Sequence, residues 1–233
     1  MLPCTCILAG GRGTRLGSLT DTTPKPLITV AGKPFLLHQL ELLEGHGARR
    51  VVLCVGYRGE TIEASLGRRF GRISLDYSYD SHELAGTLGA VRRALPLLDD
   101  SFLLLFGDTY LRIDYSAFAV GWQASGCPGA MAVLRNAGRW ERSNVRYARG
   151  RVLQYDKFAP TEDMAWIDYG LGGLSAEAVG MLPATAGELG ALYALLAERG
   201  ELFGFPATRR FYDIGTPEAL RTTERFLSAN RGG

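Results

Sequence analysis

Short apolar runs alternate with amphipathic segments along the first 135 residues. The apolar runs have the length of strands, at 5–8, 50–55, 73–79, 101–106 and 130–134. The segments between them carry apolar residues at helical spacing, at 35–44, 61–66, 87–97 and 115–124. Strands that are apolar throughout and alternate with helices are typical of a parallel sheet with helices on both faces. The pattern therefore predicts a Rossmann-like, three-layer α/β/α fold.

The pattern changes after residue 134. Segments 144–147 and 152–155 flank Ala148-Arg-Gly150, which predicts a hairpin. An apolar segment at 165–174, a helix around 187–199 and a strand at 202–205 follow. Pro217 favours the first position of a helix at 217–230, which Thr216 can cap. We predict one domain over residues 1–233 with a mixed, predominantly parallel sheet and two halves, 1–135 and 136–233.

Composition and charge exclude several classes of protein. The 26 basic and 24 acidic residues leave a net charge of +2, which gives no reason to expect a nucleic acid or an anionic membrane as a partner. The apolar runs are too short to span a bilayer, and the first residues do not resemble a secretion signal, so we expect a cytoplasmic protein. The cysteines, Cys4, Cys6, Cys54 and Cys127, lack the spacing of a zinc site and are expected to be reduced core residues.

A glycine-rich, basic segment follows the first predicted strand. It reads Leu8-Ala-Gly-Gly-Arg-Gly-Thr-Arg-Leu16, and Pro24-Lys-Pro-Leu27 comes soon after it. Glycines let backbone N–H groups approach an anion, and the cations neutralise it, which favours phosphate binding. The third glycine of the dinucleotide fingerprint is absent, and Gly32-Lys33-Pro34 is not a P-loop. The alternative is a glycine turn with solvated arginines.

Two aspartates could hold a hard cation. Asp108 follows the strongly apolar run 101–106, and Asp213 precedes the C-terminal helix. Ligands of an open parallel sheet lie beyond the carboxyl ends of its strands, which selects the loops after Leu8, after Phe106 and before Thr87. Two carboxylates with phosphate oxygens and water are a common Mg²⁺ site. A turn or a helix N-cap is the alternative role for each aspartate.

Other candidates are cations and a second glycine-bearing loop. Arg15 can contact phosphates in a bidentate manner, and Lys25 is held between two prolines, although a surface lysine in an extended loop is the alternative. Lys157 is an isolated cation in the second half, or else a solvated hairpin residue. In Leu84-Ala-Gly-Thr-Leu-Gly-Ala90, Gly86 could let a base lie against the backbone, and Thr87 could contact the base or cap a helix.

Taken together, these motifs resemble those of the sugar-1-phosphate nucleotidyltransferases in order and spacing, from about Leu8 to Glu218. Within that family, Gly107-Asp-Thr-Tyr110, Val30-Ala-Gly-Lys-Pro-Phe35, Val55-Gly-Tyr57 and Ile167-Asp-Tyr-Gly170 are similar to the D-glycero-α-D-manno-heptose 1-phosphate guanylyltransferases. The bacterial mannose-1-phosphate guanylyltransferases are close neighbours of that subgroup.

The resemblance implies roles for individual residues. It implies a nucleotide-binding half, 1–135, and a sugar-phosphate-binding half, 136–233, and it makes Arg15, Lys25, Asp108 and Asp213 catalytic, with Mg²⁺ on the two aspartates. The residues implied to bind the nucleotide are Leu8, Ala9, Gly10, Gly11, Gly13, Thr14, Arg15, Gly86, Thr87 and Asp108. Those implied to bind the sugar phosphate are Lys157, Asp168 and Gly170. Asp156 stands where the family has the glutamate of a Glu-Lys pair.

The expected reaction is Mg²⁺-dependent transfer of GMP from GTP to a sugar 1-phosphate, which gives a GDP-sugar and pyrophosphate. The expected sugar is D-glycero-α-D-manno-heptose 1-phosphate. Alternatives are mannose 1-phosphate, or transfer from dTTP, UTP or CTP to glucose or another sugar 1-phosphate. A regulatory protein that binds sugar nucleotides without turnover is a further alternative. A homodimer is plausible by analogy with the family.

Overall fold

The computed structural model describes residues 2–80, 86–136, 138–140 and 142–230. The first strands and helices along the chain are β1 Thr5–Leu8, α1 Leu19–Thr22, β2 Thr29–Val30, β3 Lys33–Pro34, α2 Phe35–Gly45, β4 Arg50–Val55, α3 Gly59–Leu66, β5 Arg69–Phe70, β6 Ile73–Tyr79, α4 Gly86–Ala94, β7 Ser101–Phe106, β8 Thr109–Tyr110, α5 Tyr115–Ser125 and β9 Gly129–Arg135. The remaining ones are β10 Val145–Ala148, β11 Arg151–Tyr155, β12 Trp166–Ser175, α6 Ala176–Val179, α7 Leu189–Glu198, β13 Leu202–Ala207, β14 Tyr212–Asp213 and α8 Pro217–Ala229. Short 3₁₀ turns lie at Thr14–Leu16, Lys25–Leu27 and Leu95–Leu97.

One large mixed sheet organises the fold. Its strand order is β10-β11-β13-β9-β12-β7-β1-β4-β6-β5. Strands β7, β1, β4 and β6 are parallel neighbours, and β9 and β13 form a second parallel pair. Between these two groups β12 runs antiparallel to both β7 and β9, so the two groups point the same way. The predicted mixed, predominantly parallel sheet is thereby confirmed, and it is continuous across the two halves of the chain.

Helices cover both faces of the sheet, as predicted. Side chains alternate between the faces of a strand, so β4 sends Val51 and Leu53 into one core cluster and Val52 into the other. The first cluster includes apolar residues of α2, α3 and α5, and the second includes those of α4, α6 and α7. A third, smaller cluster packs Ile214 and Leu227 against the segment after β1 and thereby docks α8. Within the described residues, no helix is long and apolar enough to cross a bilayer.

The predicted core role of the cysteines is confirmed for three of them. Cys4, Cys6 and Cys54 are buried free thiols in the second core cluster, and the Sγ atoms of Cys6 and Cys54 lie 3.4 Å apart. Burial raises the pKa of the Cys4 thiol to about 11. Cys127 is also free but only partly buried.

One predicted helix is too long. We expected a helix over 87–97, but α4 ends at Ala94 and a 3₁₀ turn continues to Leu97. Pro96 explains the change, because proline has no N–H to donate and its ring clashes with the preceding helical turn. The predicted hairpin is confirmed: Arg149 and Gly150 connect β10 to β11 with φ of 48° and 76°, the positive values of a tight hairpin turn.

Two glycines of β12 are required by close packing. A Cβ atom on Gly173 would lie 2.5 Å from Cε3 of Trp122, and one on Gly172 would lie 2.1 Å from the hydroxyl oxygen of Tyr193. Trp122 and Tyr193 are both buried, on opposite faces of the sheet. The lack of side chains at these two positions of β12 therefore leaves room for the ring of Trp122 on one face of the sheet and for the ring of Tyr193 on the other.

Gly173→Ala should destabilise the protein by about 1–3 kcal/mol, because the buried indole of Trp122 must move. The free energy of unfolding in urea measures the effect. Gly45→Ala, at the end of α2 where a Cβ meets no atom within 4 Å, is the matched control and should be neutral or slightly stabilising. Equal stability of the Gly173→Ala variant and the wild type would contradict this account of β12.

Candidate functional site

A two-residue strand pair brings the two predicted metal ligands together. β8 and β14 pair with Thr109 opposite Asp213, and the N–H of Ile214 donates to the carbonyl of Asp108 at 3.0 Å. Asp108 and Asp213 therefore lie on adjacent segments beyond the carboxyl end of β7. Gln39 of α2 fixes this turn by donating from Nε2 to the carbonyls of Phe106 and Thr109, at 2.8 and 2.7 Å.

Lys25 forms an ion pair with Asp108. The Nζ atom lies 2.5 Å from Oδ2 of Asp108, and the two side chains are 9% and 31% exposed. Lys25 is the first residue of the 3₁₀ turn Lys25–Leu27 and is flanked by Pro24 and Pro26, so its backbone is fixed as well. The hydroxyl of Thr109 donates to the other carboxylate oxygen of Asp108 at 3.1 Å. The alternative of a surface lysine in an extended loop is therefore wrong.

Arg15 and Lys25 both approach the turn that follows Asp213. Oδ1 of Asp213 accepts from the N–H of Gly215 at 2.7 Å, whereas Thr216 caps α8 by accepting from Ala219 at 3.1 Å. Asp213 is therefore not the helix N-cap. The Cβ position of Gly215 lies 3.5 Å from Nη2 of Arg15 and 3.8 Å from Nζ of Lys25. The two cations and the carboxylate thus converge on a small region.

A first cavity of about 430 Å³ collects most of the predicted nucleotide ligands, and we call it the nucleotide cavity. The predicted residues in its wall are Leu8, Ala9, Gly10, Gly11, Lys25, Gly86, Thr87 and Asp108. Gly13, Thr14 and Arg15, which were also predicted to bind the nucleotide, are not among the residues that line it. Gly13 has a φ of 68° and a Cβ there would lie 2.9 Å from Cγ2 of Thr20, so the shape of the loop requires glycine at this position. Leu84 and Ala85 lie outside the described residues.

A second cavity of about 420 Å³ collects the predicted sugar-phosphate ligands, and we call it the acceptor cavity. Arg15, Asp108, Lys157, Asp168, Gly170 and Asp213 all line it. β12 is irregular between Asp168 and Gly172 where it pairs with β9, and Gly170 has a φ of 92°. Asp168 accepts from the N–H of Gly170 at 2.9 Å, and Asn144 accepts from the N–H of Asp168 at 3.0 Å. This bulge sets Asp168 and Gly170 into the cavity wall.

Asp156 does not reach the acceptor cavity. Its carboxylate accepts from the N–H groups of Phe158 and Ala159, both at 2.8 Å, and these bonds lower the pKa of the Asp156 carboxyl. The neighbouring Lys157 does line the cavity. Asp156, which stands where the family has a glutamate, therefore uses its carboxylate to stabilise a local turn.

Several wall residues were missed by the sequence analysis. Glu188, Phe106 and the predicted residues Thr87 and Asp108 line both cavities. Tyr155 and Tyr193 line the acceptor cavity, and burial raises the pKa of both phenols, so they remain neutral hydroxyl groups near Asp168. Asp80 lines the nucleotide cavity. Asp80 directly follows the predicted strand 73–79, so the rule that ligands lie beyond the carboxyl ends of parallel strands could have identified it.

Thr87 joins the first turns of α4 and α7. Its hydroxyl donates to Glu188 at 3.1 Å and accepts from the N–H of Leu189 at 2.9 Å. The N–H of Leu88 also donates to the carbonyl of Gly187 at 2.7 Å. Gly86 has a φ of 67°, and a Cβ there would lie 2.3 Å from that carbonyl oxygen. Thr87 therefore connects the two halves of the chain where the two cavities meet.

The chain is similar in sequence to known proteins. A family model described as nucleotidyl transferase matches residues 4–137. Mannose-1-phosphate guanylyltransferase catalytic subunit beta from Drosophila pseudoobscura pseudoobscura is 29% identical over 225 residues, which cover 93% of this chain and 60% of that protein. D-glycero-alpha-D-manno-heptose 1-phosphate guanylyltransferase from Campylobacter jejuni is 38% identical over 110 residues, which cover 47% of this chain and 49% of that protein. The chain therefore matches about half to three fifths of the length of these two relatives.

A solved structure is similar over almost the whole chain. HddC from Yersinia pseudotuberculosis, in complex with GMP-PN, has a TM-score of 0.79 and 25% sequence identity, over 97% of this chain and 100% of that one.

Thr87→Val should destabilise the protein by about 1–2 kcal/mol, because the substitution keeps the shape but leaves the N–H of Leu189 without its acceptor. Urea unfolding measures the effect. Thr22→Val, at an exposed position at the end of α1, is the matched control and should change stability little. The proposed connection between α4 and α7 would be refuted if both variants unfolded like the wild type.

Proposed function

Because this chain belongs to the nucleotidyl transferase family, we propose that it transfers GMP from GTP to the phosphate of a sugar 1-phosphate and releases pyrophosphate. One observation carries the proposal. Asp108 lies in the shared wall of the nucleotide cavity and the acceptor cavity, beside the buried Lys25 and the neighbouring Asp213. Two substrates that exchange a group must meet, and the residues shared by the two cavities mark where they adjoin.

The proposed reaction is an in-line displacement at phosphorus. A phosphate oxygen of the sugar 1-phosphate attacks the α-phosphorus of GTP and forms a new P–O bond. The bond from the α-phosphorus to the bridging oxygen breaks, and its electron pair leaves with pyrophosphate. The attacking phosphate is already anionic, so no general base is required. The barrier consists mainly of alignment and of repulsion between anions, which the positive charges of Lys25 and Arg15 reduce.

The side chains of Asp108 and Asp213 fit a Mg²⁺ ion. Both offer hard carboxylate oxygens on adjacent segments. Among the described residues no cluster of three or more His, Cys, Asp or Glu side chains could hold a metal, which fits an ion that takes its other ligands from phosphates and water. When bound, the ion would neutralise charge on the phosphates.

We propose D-glycero-α-D-manno-heptose 1-phosphate as the sugar substrate, with mannose 1-phosphate as the second candidate. The proposal rests on the motifs that resemble the heptose subgroup, because identity over matched regions of similar length does not favour it: 38% over 110 residues for the Campylobacter relative named for the heptose, and 43% over 107 residues for a Drosophila melanogaster relative named for mannose. Lys157, Asp168 and Gly170 would contact the sugar phosphate in the acceptor cavity. The homodimer and the cytoplasmic location stay predictions.

Pyrophosphate release from the purified protein tests the reaction. Mg²⁺ is combined with each of GTP, CTP, UTP and dTTP and with heptose, mannose and glucose 1-phosphates in turn. We expect release that requires both substrates and is fastest with GTP and the heptose. Absence of release from every pair would refute the reaction, and a faster rate with mannose would reassign the sugar.

Asp108→Asn should lower kcat by roughly 100-fold or more, because it removes a preorganised charge from the reacting phosphates. Steady-state kinetics at saturating Mg²⁺ and substrates measure the effect. Asp100→Asn, at an exposed position before β7, is the matched control and should retain wild-type turnover. Near-native turnover of the Asp108→Asn variant would exclude a catalytic role for this carboxylate.

Lys157→Ala should raise the KM for the sugar 1-phosphate roughly 10-fold or more and leave the KM for GTP unchanged, since a charged hydrogen bond to the acceptor is lost. The two Michaelis constants are measured separately. Lys33→Ala removes a lysine that pairs with Glu41 on the surface, so both constants should stay at their wild-type values. An equal change in both constants of the Lys157→Ala variant would argue against a specific contact with the acceptor.

A further inference from the structure

Phe158 is an exposed aromatic residue in the wall of the acceptor cavity. Its exposed fraction is 84%, and no other large apolar residue in the described part of the chain exceeds 66%. Single exposed apolar residues are ordinary on a protein surface, but this one lines a cavity and directly follows Lys157, which lines the same cavity. The phenyl ring therefore has most of its apolar surface available to a ligand that enters there.

The turn that carries Phe158 is fixed by hydrogen bonds. The N–H groups of Phe158 and Ala159 both donate to Oδ1 of Asp156 at 2.8 Å. Further along the chain, the carbonyl of Pro160 accepts from Nη2 of Arg142 at 3.1 Å, which ties this turn to the segment before β10. A ring on a fixed backbone loses less conformational entropy when a ligand covers it than a ring on a free loop does. Asp156 and Arg142 thus hold the backbone from which Phe158 faces the ligand.

The wall of the acceptor cavity combines positive charge with aromatic surface. Lys157 and Arg15 supply the charge, and Tyr155, Phe158 and Tyr193 supply aromatic rings. A sugar 1-phosphate has two matching parts, an anionic phosphate and a ring whose equatorial hydroxyl groups project from the edge and leave C–H groups on the faces. The phosphate is attached directly to the sugar ring, and neighbouring residues of a chain are close enough for one ligand of this size to contact both Lys157 and Phe158.

We propose that Phe158 selects a cyclic sugar by stacking its ring on C–H groups of the acceptor, while Lys157 contacts the phosphate. The inference rests on the proposed transfer reaction and adds the residue that distinguishes a sugar 1-phosphate from other phosphate monoesters. A lysine charge attracts any phosphate, whereas a flat apolar ring gains free energy only when a ligand brings apolar surface against it. The two neighbouring residues thereby contact different parts of one substrate.

Methyl phosphate separates the two contacts, because it carries the phosphate monoester of the acceptor without the sugar. We expect it to compete with the sugar 1-phosphate. In Phe158→Ala, the KM for D-glycero-α-D-manno-heptose 1-phosphate and for mannose 1-phosphate should rise roughly 10-fold, because no phenyl ring covers the sugar. The inhibition constant of methyl phosphate and the KM for GTP should stay at their wild-type values. In Lys157→Ala, the inhibition constant of methyl phosphate should rise together with the KM for the sugar 1-phosphate.

Two further variants serve as controls. Phe158→Tyr keeps the aromatic ring and should retain the wild-type KM for the sugar 1-phosphate. Val120→Ala, at a 66% exposed position on α5, removes another exposed apolar side chain and should leave every constant unchanged. A wild-type KM in Phe158→Ala, a raised KM in Phe158→Tyr, or an equal rise of this KM and of the methyl phosphate constant in Phe158→Ala would overturn the inference. If methyl phosphate binds too weakly to be measured, the KM values of the two Phe158 variants still decide.

Size-exclusion chromatography of the same variants tests a second copy of the chain as the partner of the exposed ring. We expect wild type and Phe158→Ala to elute alike. A Phe158→Ala variant that changes its oligomeric state and keeps its KM for the sugar 1-phosphate would overturn the inference.

The inference and the proposed reaction fail in different ways. Calorimetry with a GTP analogue that has a methylene α,β-bridge measures binding of the sugar 1-phosphate without turnover. Weaker binding by Phe158→Ala, without pyrophosphate release from any substrate pair, would support the stacking contact and refute the transfer reaction. Pyrophosphate release with the same KM in Phe158→Ala and in the wild type would support the reaction and refute the role of Phe158.

Discussion

The ion pair between Lys25 and Asp108 relates the other parts of the site to one another. It ties the turn after the glycine-rich loop to the end of β7, and the pairing of β8 with β14 adds Asp213 from the far end of the chain. A buried ion pair contributes little net stability, because desolvation offsets much of the attraction between the charges. Stability alone therefore gives no reason to keep a lysine with a 9% exposed side chain against this carboxylate. A site that must hold positive charge in place for phosphates does give a reason to keep this lysine.

The two cavities depend on a second contact, between the first turns of α4 and α7. Thr87 and Glu188 lie in the walls of both cavities and are hydrogen bonded to each other. A movement of α7 toward or away from α4 would change both cavities at once. In the proposed reaction, the same few residues that join the halves of the chain would set the distance between the nucleotide and the acceptor, and an in-line reaction requires that distance to be held.

The parts of the fold that could be predicted from the sequence are those with strong local patterns. Phe102–Leu105 is apolar because all four side chains are buried, and the predicted bounds of this strand, Ser101–Phe106, are confirmed. β8 and β14 are two residues long and have no periodicity, so their pairing depends on distant segments that meet only in the folded chain. For the same reason Asp108 and Asp213 could be identified as candidates, but their proximity could not be derived. Thr87 is a residue type that commonly caps helices. Its hydroxyl, however, accepts from the N–H of Leu189 in α7 and not from its own helix α4, and no local sequence pattern indicates this.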